Sequence, residues 1–194
     1  MEITVHVPEL AKALQRVQGI VEKKSGMPAL ANALIETKGK DAITVSATDL
    51  EIGLTADYGA EVRRPGAITL KARALYDIVR SLPEREVHLE QKANQWVEIT
   101  CGRVKYRVVG DSPDGFPSLP RFDELDMVAI EPATFRDMIE KTLYAVSTDE
   151  TRYNLTGVYC EAMTEGPGLR MVSTDGHRLS IVARPMEKTP LGDE

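Results

Sequence analysis

The strongest restriction on how this chain can fold is an internal repeat: one order of elements, a strand, a helix and three strands, occurs three times within 194 residues. Repeat one opens with a strand at 3–7 and runs into a helix signalled by Pro8, with apolar Leu10, Leu14, Val17 and Val21 at helical spacing. Strands are expected next at 31–37, 42–49 and 50–58. In the middle one Ile43, Val45 and Ala47 alternate with Thr44, Ser46 and Thr48, the period of a sheet with one buried face. Repeat two gives a strand at 67–71, a helix carrying Leu75, Ile78, Val79 and Leu82 and closed by Pro83, and strands at 86–90, 95–101 and 104–109. Repeat three gives a strand at 127–131, a helix entered at Pro132 with Phe135, Met138, Ile139 and Leu143, and strands at 156–163, 168–174 and 178–184.

Offsets between repeats fix the domain organisation. Leu10 and Phe135 are 125 residues apart, Pro8 and Pro132 are 124 apart, and Thr48-Asp49 stands 126 residues before Thr174-Asp175. Two repeats therefore form a domain of about 125 residues, a usual size, and the Gly-, Ser- and Pro-rich stretch 110–120 reads as the linker that ends it. The expected division is a two-repeat domain at 1–125 and one repeat, half a domain, at 126–194. The fold class is α+β.

Composition narrows the function classes. With 42% apolar residues and charges mixed in sign, the chain is expected to fold rather than to be disordered. No stretch approaches the roughly 20 apolar residues of a spanning helix, and Met1 to His6 reads as a strand rather than a signal sequence, so a cytoplasmic address is expected. Cys101 and Cys160 are too few and too distant for a disulfide framework or a zinc ribbon, and each sits in a strand-like run where buried thiols are ordinary. Twenty-four Lys and Arg against 30 Asp and Glu leave a net charge of −6, which disfavours tight electrostatic DNA binding. The deficit is uneven: 17 basic and 18 acidic side chains up to residue 125, 7 and 12 after it. A nucleic-acid surface would have to be a local cluster.

Helical wheels supply such a cluster. At 100° per residue Lys12, Arg16 and Lys23 fall opposite the apolar face of helix one, and Arg73 and Arg80 fall opposite that of helix two, with Asp77 beside them. The third helix turns Asp137, Glu140 and Lys141 outward, a negative face to which the argument does not extend.

Ser173-Thr174-Asp175-Gly176-His177-Arg178-Leu179 sits between two strands, and Asp-Gly is a hairpin signal because Gly tolerates positive φ. Asp175 and His177 could suggest a hydrolytic dyad or a metal site. A metal site wants three or four ligands, and the other histidines, His6 and His88, belong to different repeats. With no nucleophile elbow, phosphate loop or paired carboxylates in the sequence, neither catalysis nor a cofactor is expected.

Thr174-Asp175-Gly176-His177-Arg178-Leu179, preceded by Arg152-Tyr153-Asn154-Leu155-Thr156-Gly157, closely resembles the bacterial sliding clamp family, the beta subunit of DNA polymerase III. Met27-Pro28-Ala29-Leu30-Ala31-Asn32, Ala47-Thr48-Asp49-Leu50-Glu51 and Phe116-Pro117 extend the resemblance along the chain. The resemblance implies a homodimeric ring around duplex DNA, three similar domains per subunit, helices lining the hole and sheets outside. It also implies a non-catalytic processivity factor that tethers the polymerase III alpha subunit and the clamp loader through a short apolar peptide held in a pocket. Carried over, the pocket residues are Leu155, Thr174, Gly176, His177, Arg178 and Leu179. Lys24 and Tyr153 match DNA contacts, joined by Lys12, Arg16, Lys23, Arg73 and Arg80 from the wheels. Arg103, Lys105, Tyr106 and Val108 lie where subunits would meet. On this reading the rest of domain two and all of domain three are absent, and the chain is a clamp fragment. A generic protein-interaction module and a hydrolase using Asp175 and His177 are the rival readings.

Overall fold

The computed structural model describes residues 1–21, 26–83, 85–119 and 128–189. The chain divides into two compact units, Met1–Pro120 and Arg121–Glu194. Repeats one and two share the first, and the third repeat makes the second.

In the first unit β1 (Glu2–His6) leads into α1 (Val7–Val17), where Pro8 occupies the first turn and its missing N–H goes unneeded. Then come β2 (Asn32–Lys38), β3 (Ala42–Thr48), β4 (Gly53–Gly59), β5 (Glu61–Arg64) and β6 (Ala67–Lys71). They are followed by α2 (Ala72–Arg80), β7 (Glu86–Gln91), β8 (Trp96–Cys101) and β9 (Val104–Val109). The strands form two antiparallel sheets, ordered β5-β1-β7-β8-β9 and β4-β3-β2-β6.

That order exchanges the leading strands. β1, which opens repeat one, pairs with β7 of repeat two, and β6, which opens repeat two, pairs with β2 of repeat one. The strand expected at 50–58 begins three residues later, as β4 after a turn, and β5 beyond it was not expected. Ala60 carries the chain from one sheet to the other, its N–H donating to Asp41 O at 2.9 Å. α1 lies against α2, and one core joins both repeats, with Leu10, Leu14, Ile35, Ile43, Val79, Leu89 and Ile99 fully buried. Each such side chain contributes roughly 1.5–3 kcal/mol by leaving water. The start of the linker is fastened to this unit: Asp111 and Thr69 exchange backbone hydrogen bonds at 2.9 and 3.1 Å, and Asn32 Nδ2 donates to Asp111 Oδ2.

The second unit has α3 (Pro132–Leu143) and a three-stranded sheet, β10 (Tyr159–Ala162), β11 (Gly168–Thr174) and β12 (Leu179–Pro185). The Glu131 carboxylate caps α3 by accepting from the N–H groups of Ala133 and Thr134. Ser173 Oγ donates to Thr142 O at 2.6 Å, and Arg184 reaches Asp137 at 2.7 Å, which fixes α3 on β11 and β12. Asp137 therefore does not belong to a free outward acidic face. Among the described residues 128–131 form no strand; residue 127 lies outside them. In the first unit such a strand pairs with the sister repeat's sheet. Helical turns at Glu150–Leu155 shorten the strand expected at 156–163.

Burial differs accordingly. Register makes Cys160 the counterpart of Ile35: Thr48 corresponds to Thr174, and each of the two residues sits at the same step of its hairpin ladder. Cys101 is buried as expected, whereas Cys160 is exposed, and burial of its neighbourhood still raises its thiol pKa. Ile35→Ala should destabilise the first unit by about 2–5 kcal/mol, and Cys160→Ala should cost the second less than about 1. Urea melts read on Trp96, the single tryptophan, check the former and hydrogen exchange of β11 amides the latter; equal costs would mean the two positions are equally covered.

Candidate functional site

The hairpin between β11 and β12 is held by its own side chains. Thr174 Oγ1 accepts from Gly176 N at 3.0 Å, and Asp175 Oδ1 accepts from His177 N at 2.9 Å and Arg178 N at 3.0 Å. The β3–β4 turn repeats this chemistry 126 residues earlier. There Thr48 accepts from Leu50 N at 2.9 Å, and Asp49 accepts from the N–H groups of Glu51 and Ile52. Both turns demand a left-handed residue at the same place, Leu50 with φ 81° and Gly176 with φ 89°. Glycine meets that demand without strain; leucine does not.

These bonds define what the hairpin offers. The Asp175 carboxyl is held below its ordinary value of 3.8, first by the His177 N–H, then by the Arg178 N–H, with the Arg178 guanidinium adding to them. Arg178 Nε reaches Asp175 Oδ2 at 2.9 Å, and its guanidinium lies 5.6 Å from the centre of the Tyr144 ring. Arg152, from the 150–155 turns, donates to Asp175 O at 3.4 Å, and a Cβ on Gly176 would come 3.2 Å from Arg152 Nη1. With the backbone satisfied, the side chains of His177, Arg178 and Leu179 stand out from a fixed turn, and Leu179 is 60% exposed.

The pocket residues expected from the sequence thus fall partly together. Thr174, Gly176, His177, Arg178 and Leu179 share the hairpin, and Leu155 ends the turns that Arg152 braces against it, its carbonyl accepting from Ser147 N at 2.9 Å. Arg152 and Tyr144 were not among the expected site residues. Arg152 stood inside the quoted motif, whereas nothing in the sequence marks Tyr144 as the partner of an arginine 34 positions away. Asp175 holds the turn and meets His177 through its main chain, not its imidazole. Among the described residues no group of three or more His, Cys, Asp or Glu could hold a metal.

The basic residues sit as the wheels require. Lys12 and Arg16 on α1 and Arg73 and Arg80 on α2 are exposed. Arg16 Nη1 donates to Tyr58 Oη at 3.3 Å, and Arg80 lies 6.0 Å over the Tyr76 ring. Between the end of α1 and the start of α2, Lys71, Arg73, Gln18, Val21 and Asp77 line a groove of about 530 Å³. Lys23 and Lys24 lie outside the described residues, and Tyr153 is 83% exposed in the second unit. Of the residues expected from the sequence at a subunit interface, Lys105, Tyr106 and Val108 lie on β9, an edge strand, and Arg103 in the turn before it. Tyr106 and Val108 stand opposite the buried Ile99 and Val97, hence on the core side of the sheet, and Lys105 projects from the other face.

Two repeats in one two-sheet body with a third repeat following, and a polar-locked hairpin on the third, define a clamp-type α+β protein. Residues 1–120 match the DNA polymerase III beta subunit N-terminal domain and residues 129–191 its central domain. The chain belongs to the DNA polymerase III beta subunit family. The beta sliding clamp of Caulobacter vibrioides is 35% identical over 196 residues, covering 99% of this chain and 52% of that protein. The sliding clamp structure from Bacillus subtilis superposes with a TM-score of 0.90 at 26% identity, over 98% of this chain and 51% of that one. That of Bartonella birtlesii, solved with griselimycin bound, gives 0.85 at 33%, over 96% and 50%. The chain spans about half the length of the curated relatives it matches.

A carboxyl with a depressed folded pKa contributes stability above its unfolded value, and the contribution is lost as pH falls through the folded one. The amide resonances of His177 and Arg178 should therefore titrate with a midpoint below 3.8. A midpoint at or above that value would show that Asp175 does not hold the turn.

Proposed function

We propose that the chain serves in a DNA sliding clamp, a cytoplasmic, non-catalytic processivity factor that encircles duplex DNA as a homodimeric ring and tethers the polymerase III alpha subunit and the clamp loader through short apolar peptides. The observation that carries this reading is the hairpin Thr174 to Leu179, whose Gly176, His177 and Arg178 N–H groups are held within the turn while an exposed leucine, histidine and arginine face outward. A rigid apolar anchor beside donors suits capture of a peptide side chain, since little ordering cost remains at binding. Leu155, Thr174, Gly176, His177, Arg178 and Leu179 form one wall. Lys12, Arg16, Arg73 and Arg80, with Lys23, Lys24 and Tyr153, meet DNA phosphates without reading sequence. Arg103, Lys105, Tyr106 and Val108 serve ring closure, the free backbone of β9 pairing with a neighbour's strand. The hydrolase reading is weaker, because Asp175 is committed to three bonds of the turn.

With one wall, a peptide carrying Leu and Phe anchors should bind this chain about a hundredfold or more weaker than it binds a full-length relative. NMR titration should move the resonances of Gly176, His177 and Leu179, and Leu179→Glu should abolish the shifts. Shifts confined to other residues would overturn the placement of the pocket.

DNA affinity should be weak, sequence-blind and steep in salt. Arg16→Glu combined with Arg73→Glu should lower it and reduce the salt slope by about 1 per lost phosphate contact. Binding that distinguishes one duplex sequence from another would contradict the reading.

A further inference from the structure

The groove between the end of α1 and the start of α2 holds charges that the rest of the unit leaves unused. Lys71 and Arg73 line it with Gln18 and Asp77, and both cations are exposed. Among the described residues neither makes an ion pair or a side-chain hydrogen bond. Elsewhere in the unit Lys38 is paired with Asp57, Arg63 with Glu61, and Arg64 and Lys92 with Glu90. Arg73 and Asp77 are four positions apart on α2, the spacing at which opposite charges meet, as Asp137 and Lys141 do on α3. No bond closes between Arg73 and Asp77, so the cation stays available to the groove they both line. Gln18 Nε2 donates to Leu14 O at 3.1 Å, which holds the amide and leaves the second N–H of that nitrogen as a donor.

Charge and lining together select a ligand. Lys71 and Arg73 against Asp77 leave the groove with a small net positive charge. An internal phosphodiester carries a single negative charge, whereas a terminal phosphate carries about 1.5 to 2 at pH 7, and the Asp77 carboxylate penalises the second more. Val21, Ala31 and Ala74 add an apolar wall suited to the sugar that links successive phosphates. The lining residues include no aromatic ring, so an unpaired base has nothing to stack on. We propose that this groove seats one phosphodiester of a DNA duplex, with Lys71 and Gln18 joining Arg73 as contacts and Asp77 limiting the hold. The seat rests on the clamp reading and adds to it two residues that helical wheels do not find: Lys71 ends β6 and precedes α2, and Gln18 follows the last residue of α1. A contact partly offset by a carboxylate in the same groove exchanges readily, as a duplex sliding past requires.

Fluorescence anisotropy of a labelled duplex at low salt, with the 194-residue chain, tests the seat. Lys71→Gln should weaken binding about two- to fivefold and lower the salt slope by about 0.9, the value of one phosphate contact. Asp77→Asn should tighten binding by about the same factor, a gain that damage to the fold could not produce. Lys92→Gln removes an equal charge just after β7 and should leave the affinity unchanged. In NMR titrations the backbone amides of Ala72 and Arg73 and the side-chain amide of Gln18 should move with the duplex and stay in place with inorganic phosphate at the same ionic strength. Equal weakening by Lys71→Gln and Lys92→Gln, no tightening by Asp77→Asn, or an equal response to inorganic phosphate would each overturn the seat. Arg16, which does not line the groove, separates this proposal from the clamp reading. If Arg16→Glu weakens binding and the groove variants do not, the seat fails alone; if neither salt nor any of these variants alters binding, both fail.

Discussion

A strand-helix-three-strand repeat cannot complete its own sheet, and the exchange of leading strands follows from that constraint. β6 pairs with β2 of the repeat that did not supply it, and β1 with β7 of the other repeat on one side and β5 of its own on the other. The exchange satisfies two rows of backbone groups that would otherwise face solvent and draws α1 and α2 together, so that Leu10, Leu14 and Val79 lose all contact with water. The first unit is stable as a pair of repeats, not as a sum of two. The third repeat shows the converse: its helix is capped by Glu131 and fastened to the sheet by Ser173 and Arg184, yet its apolar row stays half open. Local hydrogen bonds set its shape; they do not supply the missing apolar area.

The duplicated turn shows how a repeated scaffold acquires different uses. Thr48-Asp49 and Thr174-Asp175 hold their backbones by the same bonds, so the turns differ only in what they carry. At the first, Gly53 leaves room for Leu119, whose Cδ2 would lie 3.0 Å from an added Cβ, while Leu50 and Ile52 of the turn itself stay exposed. At the second the equivalent position is Leu179, 60% exposed. At that one position the first hairpin takes in a side chain of its own chain, and the second presents one. A site can therefore arise from a few side chains on an unchanged frame.

What the sequence revealed, and what it hid, divides along the same line. The helices, the inner strands and the hairpin were legible because apolar period and the Thr-Asp pair are local signals. The sheet switch at Ala60 was not, since β5 at Glu61–Arg64 is a strand only by virtue of the β1 edge it meets, and nothing in its own four residues marks it as one. The strand at 127–131 was expected from the order of the repeat, but 128–131 pair with no strand among the described residues. Cys160 fits an apolar strand yet is exposed. Tyr144 and Arg152 entered the hairpin site through contacts across 34 and 23 residues, which no periodicity encodes. The basic faces of α1 and α2 were legible as faces, but the hold of Tyr58 on Arg16 and of Tyr76 on Arg80 was not.

Those tethers bear on how an acidic chain could handle DNA. A net charge of −6 repels phosphate over most of the surface, so attraction is confined to where cations stand free of carboxylates. Arg16 and Arg80 are held by aromatic partners rather than by acids, which keeps their charge available and lowers the ordering cost of a phosphate contact. Asp77, in the groove with Lys71 and Arg73, keeps the attraction modest. On the proposed reading that is an advantage: a ring retains DNA by topology, and contacts strong enough to grip would slow its sliding. Few, pre-positioned and partly offset cations allow the duplex to be centred without being fixed, and the acidic remainder discourages DNA from binding to any other face.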